Sequence, residues 1–161
     1  MKLFVKEKIL SMHNRYYIYN ENEELTYEIE SKIISFGDKT TIYDKRHNIV
    51  AYIEQEIFHW TPCYNVYFEG KYQYQIKKKF HLFKNDYNLS NKYKVVGSLF
   101  NLDFVIINNH GETVALINRK FLSIGDKYQI DVIDEKDINT ILTIIVAITN
   151  DVDRNQANSS N

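Results

Sequence analysis

Lys77-Lys78-Lys79, with Lys71, His81 and Lys84 close by, is the densest positive stretch of this 161-residue chain. Such a run can hold an anionic head group or a membrane surface, at about 1 kcal/mol per basic residue. The competing reading is a solvated strand face whose charges discourage edge-to-edge aggregation. Glu54 and Glu56 hold the equivalent places one repeat earlier, which makes that face mixed in sign. The five histidines, at 13, 47, 59, 81 and 110, are dispersed. His59 and Cys63 bracket Trp60-Thr61-Pro62 and offer two of the ligands that zinc requires. No second pair has ligand spacing, so no metal site is expected. Nothing marks a base or orienting group for Cys63 as a nucleophile. The chain contains no P-loop, nucleotide fingerprint or G-x-S-x-G elbow. No catalytic residue, cofactor or enzymatic activity is therefore expected.

A second constellation emerges from strand parity, because residues i, i+2 and i+4 of a strand face one way. Val5, Glu7 and Ile9 share a face, as do Ile29, Ser31 and Ile33; Ile53, Gln55 and Ile57; Ile76, Lys78 and Phe80; and Ile117, Arg119 and Phe121. The outer pair is apolar in each case and the middle residue polar. Two readings compete. A bulge or bend at a barrel corner turns the middle residue outward. Alternatively these residues form a ring of partly buried groups, in which Glu7 pairs with Lys78 or Arg119, since an unpaired interior charge is costly. Such a ring is either structural or the lining of a small anionic-ligand site. Lys77, Lys78, Lys79 and Arg119 are the candidate ligand-binding residues.

The elements that position these groups follow from a repeat of about 24 residues. Ile9, Ile33, Ile57, Phe80 and Phe121 recur in register. About nine residues after each comes a short strand: Tyr16-Tyr17-Ile18, Thr40-Thr41-Ile42, Tyr64-Asn65-Val66, Tyr87-Asn88-Leu89 and Tyr128-Gln129-Ile130. A diverged copy runs from Tyr93 to Ile106. Turn chemistry separates the strands at His13-Asn14, Gly37-Asp38, Thr61-Pro62, Lys84-Asn85-Asp86, Asn108 to Gly111 and Gly125-Asp126. Two strands per copy give about 12, antiparallel because every connection is short. A sheet of that size escapes two raw edges by closing into a barrel.

Composition agrees. Thirteen Tyr and nine Phe against one Pro and five Gly suit pleated strands. The formal net charge of −1 argues against a nucleic-acid partner. Tyr-rich strands could stack bases, but barrel parity places those rings in the wall. One cysteine and no signal-like apolar start favour a soluble cytoplasmic domain.

Ile138 to Ile148 reads as strand by its β-branched residues and as helix by its stripe of Ile138, Ile141, Leu142, Ile145 and Ile148. Asp134 and Asp137 at its start favour a helix, over about 136–149. Asn139, Thr143 and Ala147 would form its small, weakly polar face. It covers about half of the roughly 20 residues a membrane span requires. The expected organisation is one mainly β domain, 1–150, a closed antiparallel barrel around a central hydrophobic C-terminal helix. A polar tail at 151–161 is expected to be disordered.

The pattern resembles the LURP-one-related family over about residues 2–150. The resemblance lies in Lys77-Lys78-Lys79-Phe80 and in the run from Arg119 to Val132, followed by an acidic-to-apolar helix. That family groups with Tubby C-terminal-like and phospholipid scramblase domains. The resemblance implies a barrel threaded by the helix, with no established enzymatic activity. Tubby relatives are associated with phosphoinositide head groups, and scramblase relatives with lipid movement, calcium and palmitoylated cysteines. This chain has no Cys-rich segment or EF-hand loop, and no Tubby lipid motif can be placed on it residue by residue. The expectation is a non-catalytic binding or scaffold domain for an anionic lipid head group, a phosphorylated ligand or a protein partner, peripheral at the membrane. The alternative is a scramblase-like membrane-acting protein.

Overall fold

The structure, a computed structural model, describes residues 1–10, 13–32, 37–81, 84–89, 92–99, 101–119 and 126–159. Side chains are described for 1–6, 15–32, 37–78, 92–99, 101–119 and 128–155. Twelve strands are present in the described residues: β1 (Lys2–Leu10), β2 (His13–Asn20), β3 (Leu25–Lys32), β4 (Lys39–Asp44), β5 (Ile49–Gln55), β6 (Cys63–Phe68), β7 (Lys71–His81), β8 (Lys84–Leu89), β9 (Tyr93–Ser98), β10 (Asp103–Asn108), β11 (Thr113–Asn118) and β12 (Asp126–Val132). A 3₁₀ turn, Glu135–Asp137, leads into helix α1 (Ile138–Ser159). Each strand pairs antiparallel with its sequence neighbours, and β1 pairs with β12 as well as β2, so the strand order closes on itself.

Short connections force the strands up and down, which sorts the turns into two ends. One end holds the turns at 20–25, 44–49, 68–71 and 108–113. Three of these share one chemistry. The side chains of Asn20, Asp44 and Asn108 each accept backbone N–H bonds from residues two and four positions on, at 2.8–3.0 Å. The residue three on, Glu23, His47 or Gly111, takes a left-handed φ of 60°, 63° or 82°. The repeat is thus a hairpin written again with the same Asx-type turn. The turns expected at His13-Asn14 and Lys84-Asn85-Asp86 instead lie inside β2 and β8, whose ladders continue through them.

Strand alternation turns Leu3, Val5, Ile18, Ile29, Ile42, Ile53, Val66, Ile76, Ile106, Ile117 and Ile130 into the core. They pack around α1, whose ten residues from 141 to 150 are all buried. Burying one large apolar side chain stabilises by about 1.5–3 kcal/mol, so this enclosed stretch is a main source of stability. The helix starts where expected: Asp134 accepts a bond from the Lys136 N–H at 3.1 Å and caps the turn before it. It does not stop where expected. Residues 151–159, read from sequence as a disordered tail, continue the helix, and Asp151 and Val152 are buried. Val152 extends the stripe of Ile141, Ile145 and Ile148 by one further turn, which supplies the physical reason.

Candidate functional site at the end of the barrel that receives the helix C-terminus

Residues 37–38, 56–62, 99 and 101–102, the end of β11 and the last turns of α1 lie together at the barrel end opposite the Asx turns. Inside the wall at this end sits a polar cluster. Lys78 Nζ lies 2.7 Å from Asp151 Oδ2, with both side chains under 10% exposed (9% and 6%). Arg154 Nη2 reaches Asp38 Oδ1 at 2.5 Å, and the Tyr16 hydroxyl donates to Asp153 Oδ2 at 2.8 Å. The Asn150 amide donates to Thr40 Oγ1 at 3.0 Å, and Ser31 Oγ meets that same hydroxyl at 2.8 Å. Burial raises the Asp38 carboxyl above its ordinary range although Arg154 beside it pulls the other way. The Tyr64 hydroxyl is buried with no hydrogen-bond partner among the described groups. Burial, then the nearby Asp151 and Asp38, push this phenol far up.

This cluster ties the helix to four strands, β2, β3, β4 and β7, or to the loops next to them. A charge in such a place is stable only with its partner, and here the partners come from the helix. Lys78 therefore is not offered to an external anion. Of the basic run, Lys77 points to solvent and Lys78 into the barrel, as strand alternation requires. The Lys79 side chain lies outside the described residues. Arg119 is exposed, one residue beyond the last residue of β11, so the structure does not bring it to Lys78. Among the five middle positions, Ser31 and Lys78 are buried, Gln55 is half-buried and Arg119 is exposed. Glu7 lies outside the described side chains, and among the described residues Lys78 has Asp151 as an interior partner. Ile57 is also exposed, because β5 ends at Gln55 and its period-2 register no longer applies.

On the outside of the same end, the β5–β6 loop carries Phe58, 94% exposed, and Trp60, fully exposed. Sequence parity does not reveal this pair, because loop residues have no face. The only sequence signal is an aromatic pair just ahead of the turn marker Thr61-Pro62. At the root of the loop, the Glu56 N–H donates to the Cys63 carbonyl at 2.8 Å and closes it. Glu56 Oε1 accepts from Asn65 Nδ2 at 2.7 Å and from Gln75 Nε2 at 3.0 Å, while Oε2 meets His59 Nε2. The Asn65 bond, and then His59, hold this carboxyl below its ordinary range against the opposing effect of burial. Burial pushes the Cys63 thiol up to about 11, so almost no thiolate exists at neutral pH to act as a nucleophile.

The opposite end holds an open cleft of about 560 Å³ between the β2–β3 and β4–β5 turns, lined by both signs of charge through Glu24, Asp44, Lys45 and Arg46. Its polar groups are largely spent on the turns themselves, as the Asp44 bonds show.

Comparison with known proteins finds likeness over nearly the whole chain. The chain is 28% identical over 150 residues to the protein YxjI of Bacillus subtilis (strain 168), covering 92% of this chain and 91% of that one. An X-ray structure of a protein from Arabidopsis thaliana has a similar fold, with a TM-score of 0.62 at 17% identity over 92% of this chain and 91% of that one. The LURP-one-related family description matches residues 1–149, the whole barrel and the first half of the helix, and the chain belongs to that family.

Proposed function

We propose that this chain is a non-catalytic cytoplasmic binding domain that seats the helix-C-terminal end of its barrel on an anionic lipid surface. The observation that carries this reading is the exposure of Phe58 and Trp60 at one loop tip, on the same barrel end as exposed Lys77 and Arg119. Two bulky aromatic rings held in water are costly unless something covers them. Trp and Phe favour the head-group region of a bilayer, and nearby cations add about 1 kcal/mol each on an anionic surface. The rim cations, rather than buried Lys78, supply the electrostatic part.

The rival reading is a scramblase-like action in which the helix enters lipid. No helix among the described residues is long and apolar enough to cross a membrane. Withdrawing α1 would also strand Lys78, Asp38 and Tyr16 without the partners they have on it.

Vesicle co-sedimentation tests the proposal. The wild-type chain should sediment with phosphatidylcholine vesicles containing phosphatidylserine and much less with phosphatidylcholine alone. Phe58→Ser with Trp60→Ser should weaken binding at least about tenfold, equal to roughly 1.4 kcal/mol. Lys77→Glu should weaken it only on the anionic vesicles. A wild-type chain that ignores both vesicles, or a double variant that binds as wild type does, overturns the reading.

A further inference from the structure

We propose that Glu56, His59 and Cys63 form a binding site for a zinc-type divalent cation at the root of the β5–β6 loop. One ligand atom from each residue lies within 4.8 Å of the other two. Thiolate, imidazole and carboxylate are the donor set zinc uses, at bond lengths of about 2.0–2.3 Å that put tetrahedral ligands roughly 3.3–3.7 Å apart. The site thus needs the widest pair to close by about 1 Å. His59, exposed on the loop, is the member placed to make that movement, and its ring, now against Glu56 Oε2, has to swing about 1 Å away from that oxygen for the two to share an ion. Three protein ligands leave a fourth position for water.

A second, independent observation marks this carboxylate as placed. Both amides that hold Glu56 Oε1, Asn65 from β6 and Gln75 from β7, come from adjacent strands and are bonded to each other at 3.0 Å. They fix Oε1 and leave Oε2 directed toward His59, the arrangement by which outer-shell partners orient a metal-ligating carboxylate. Cys63 is fixed from its own side, since its carbonyl closes the loop and it pairs with Lys77 in the β6–β7 ladder. The Lys77 ammonium opposes a cation, but it stands in water, where the repulsion is screened. The site is separate from lipid docking in its chemistry and stands whether or not the loop tip meets a membrane.

Cobalt(II) titration of the full chain tests the site, because thiolate-bound tetrahedral cobalt has a charge-transfer band and visible absorption. One equivalent should produce both, and zinc should displace it. His59→Ala, on the exposed loop and harmless to folding, and Cys63→Ser should each lower affinity at least about tenfold. Cys63→Ser should also abolish the charge-transfer band. Asn65→Ala keeps all three ligands and should cost about 10- to 100-fold. No thiolate band in the wild-type chain, or unchanged cobalt affinity in His59→Ala, overturns the proposal.

Discussion

Lys78 shows how one residue separates a binding role from a structural one. It sits in the middle of a basic run, yet its ammonium is spent on Asp151 inside the barrel. Truncating it takes a cation away from the buried Asp151 carboxylate, which costs about 3–5 kcal/mol. Lys78→Ala should therefore lower stability by about that much in urea denaturation. Replacing both partners, as Lys78→Met with Asp151→Leu, should recover much of the loss, because neither charge of the pair is then left to be desolvated. The pair of variants discriminates: if Lys78→Ala leaves stability unchanged and removes only vesicle binding, the buried pairing is wrong. Strand parity predicts that Lys77 and Lys78 face opposite ways. It could not find Asp151, which lies 73 residues away, and the pairing of Glu7 with Lys78 that it offered falls on a side chain outside the described ones.

At the scale of the element, α1 is two helices in chemistry and one in backbone. Its first half was legible because isoleucines at helical spacing, preceded by Asp134 and Asp137, have a periodic signature. Its last turns were not. A polar residue has the same appearance in a chain whether it meets water or a buried partner, and Asp153 finds Tyr16 only 137 residues back. The consequence is a pair of truncations with opposite outcomes. Ending the chain after Thr149 removes Asn150, Asp151, Asp153 and Arg154 and takes from Lys78 and Asp38 the partners they have on the helix. Each lost pairing costs several kcal/mol, comparable to the roughly 5–15 kcal/mol that holds a typical domain folded. That protein should be unfolded or molten by circular dichroism and thermal melting. Ending it after Asn155 keeps every named contact and should change stability by less than about 1 kcal/mol. A stable, cooperative melt for the shorter chain would show that the last turns merely hang on the barrel.

The whole molecule is a tyrosine-walled barrel, and that sets its behaviour in alkali. The architecture was readable because a recurring strand pair has few ways to bury one face, and closure follows from edge avoidance. The rim was not, since loop tips such as Phe58 and Trp60 obey no period. What the wall implies energetically can be worked out from its ionisable hydroxyls and thiol. Burial raises Tyr64, Tyr74 and Tyr93 above their ordinary value of 10.0 and moves the Cys63 thiol from 9.0 to about 11. As pH climbs, the unfolded chain loses these protons first, so it binds fewer protons than the folded one. Stability then falls with rising pH. The contribution is fully present below about pH 9, where the unfolded thiol begins to ionise, and is lost progressively above it. Urea midpoints should hold from pH 7 to about pH 9 and drop beyond, with the part of the tyrosinate absorbance that belongs to buried Tyr64, Tyr74 and Tyr93 appearing only at the unfolding transition. Tyr64→Phe sharpens the test. Its hydroxyl has no described partner, so removing it should leave stability at pH 7 equal or higher. The same variant lacks one alkaline liability and should lose stability less steeply above pH 9. A steeper loss, or a large destabilisation at pH 7, would mean that the Tyr64 hydroxyl has a partner in solution, such as a buried water between it and Asp151.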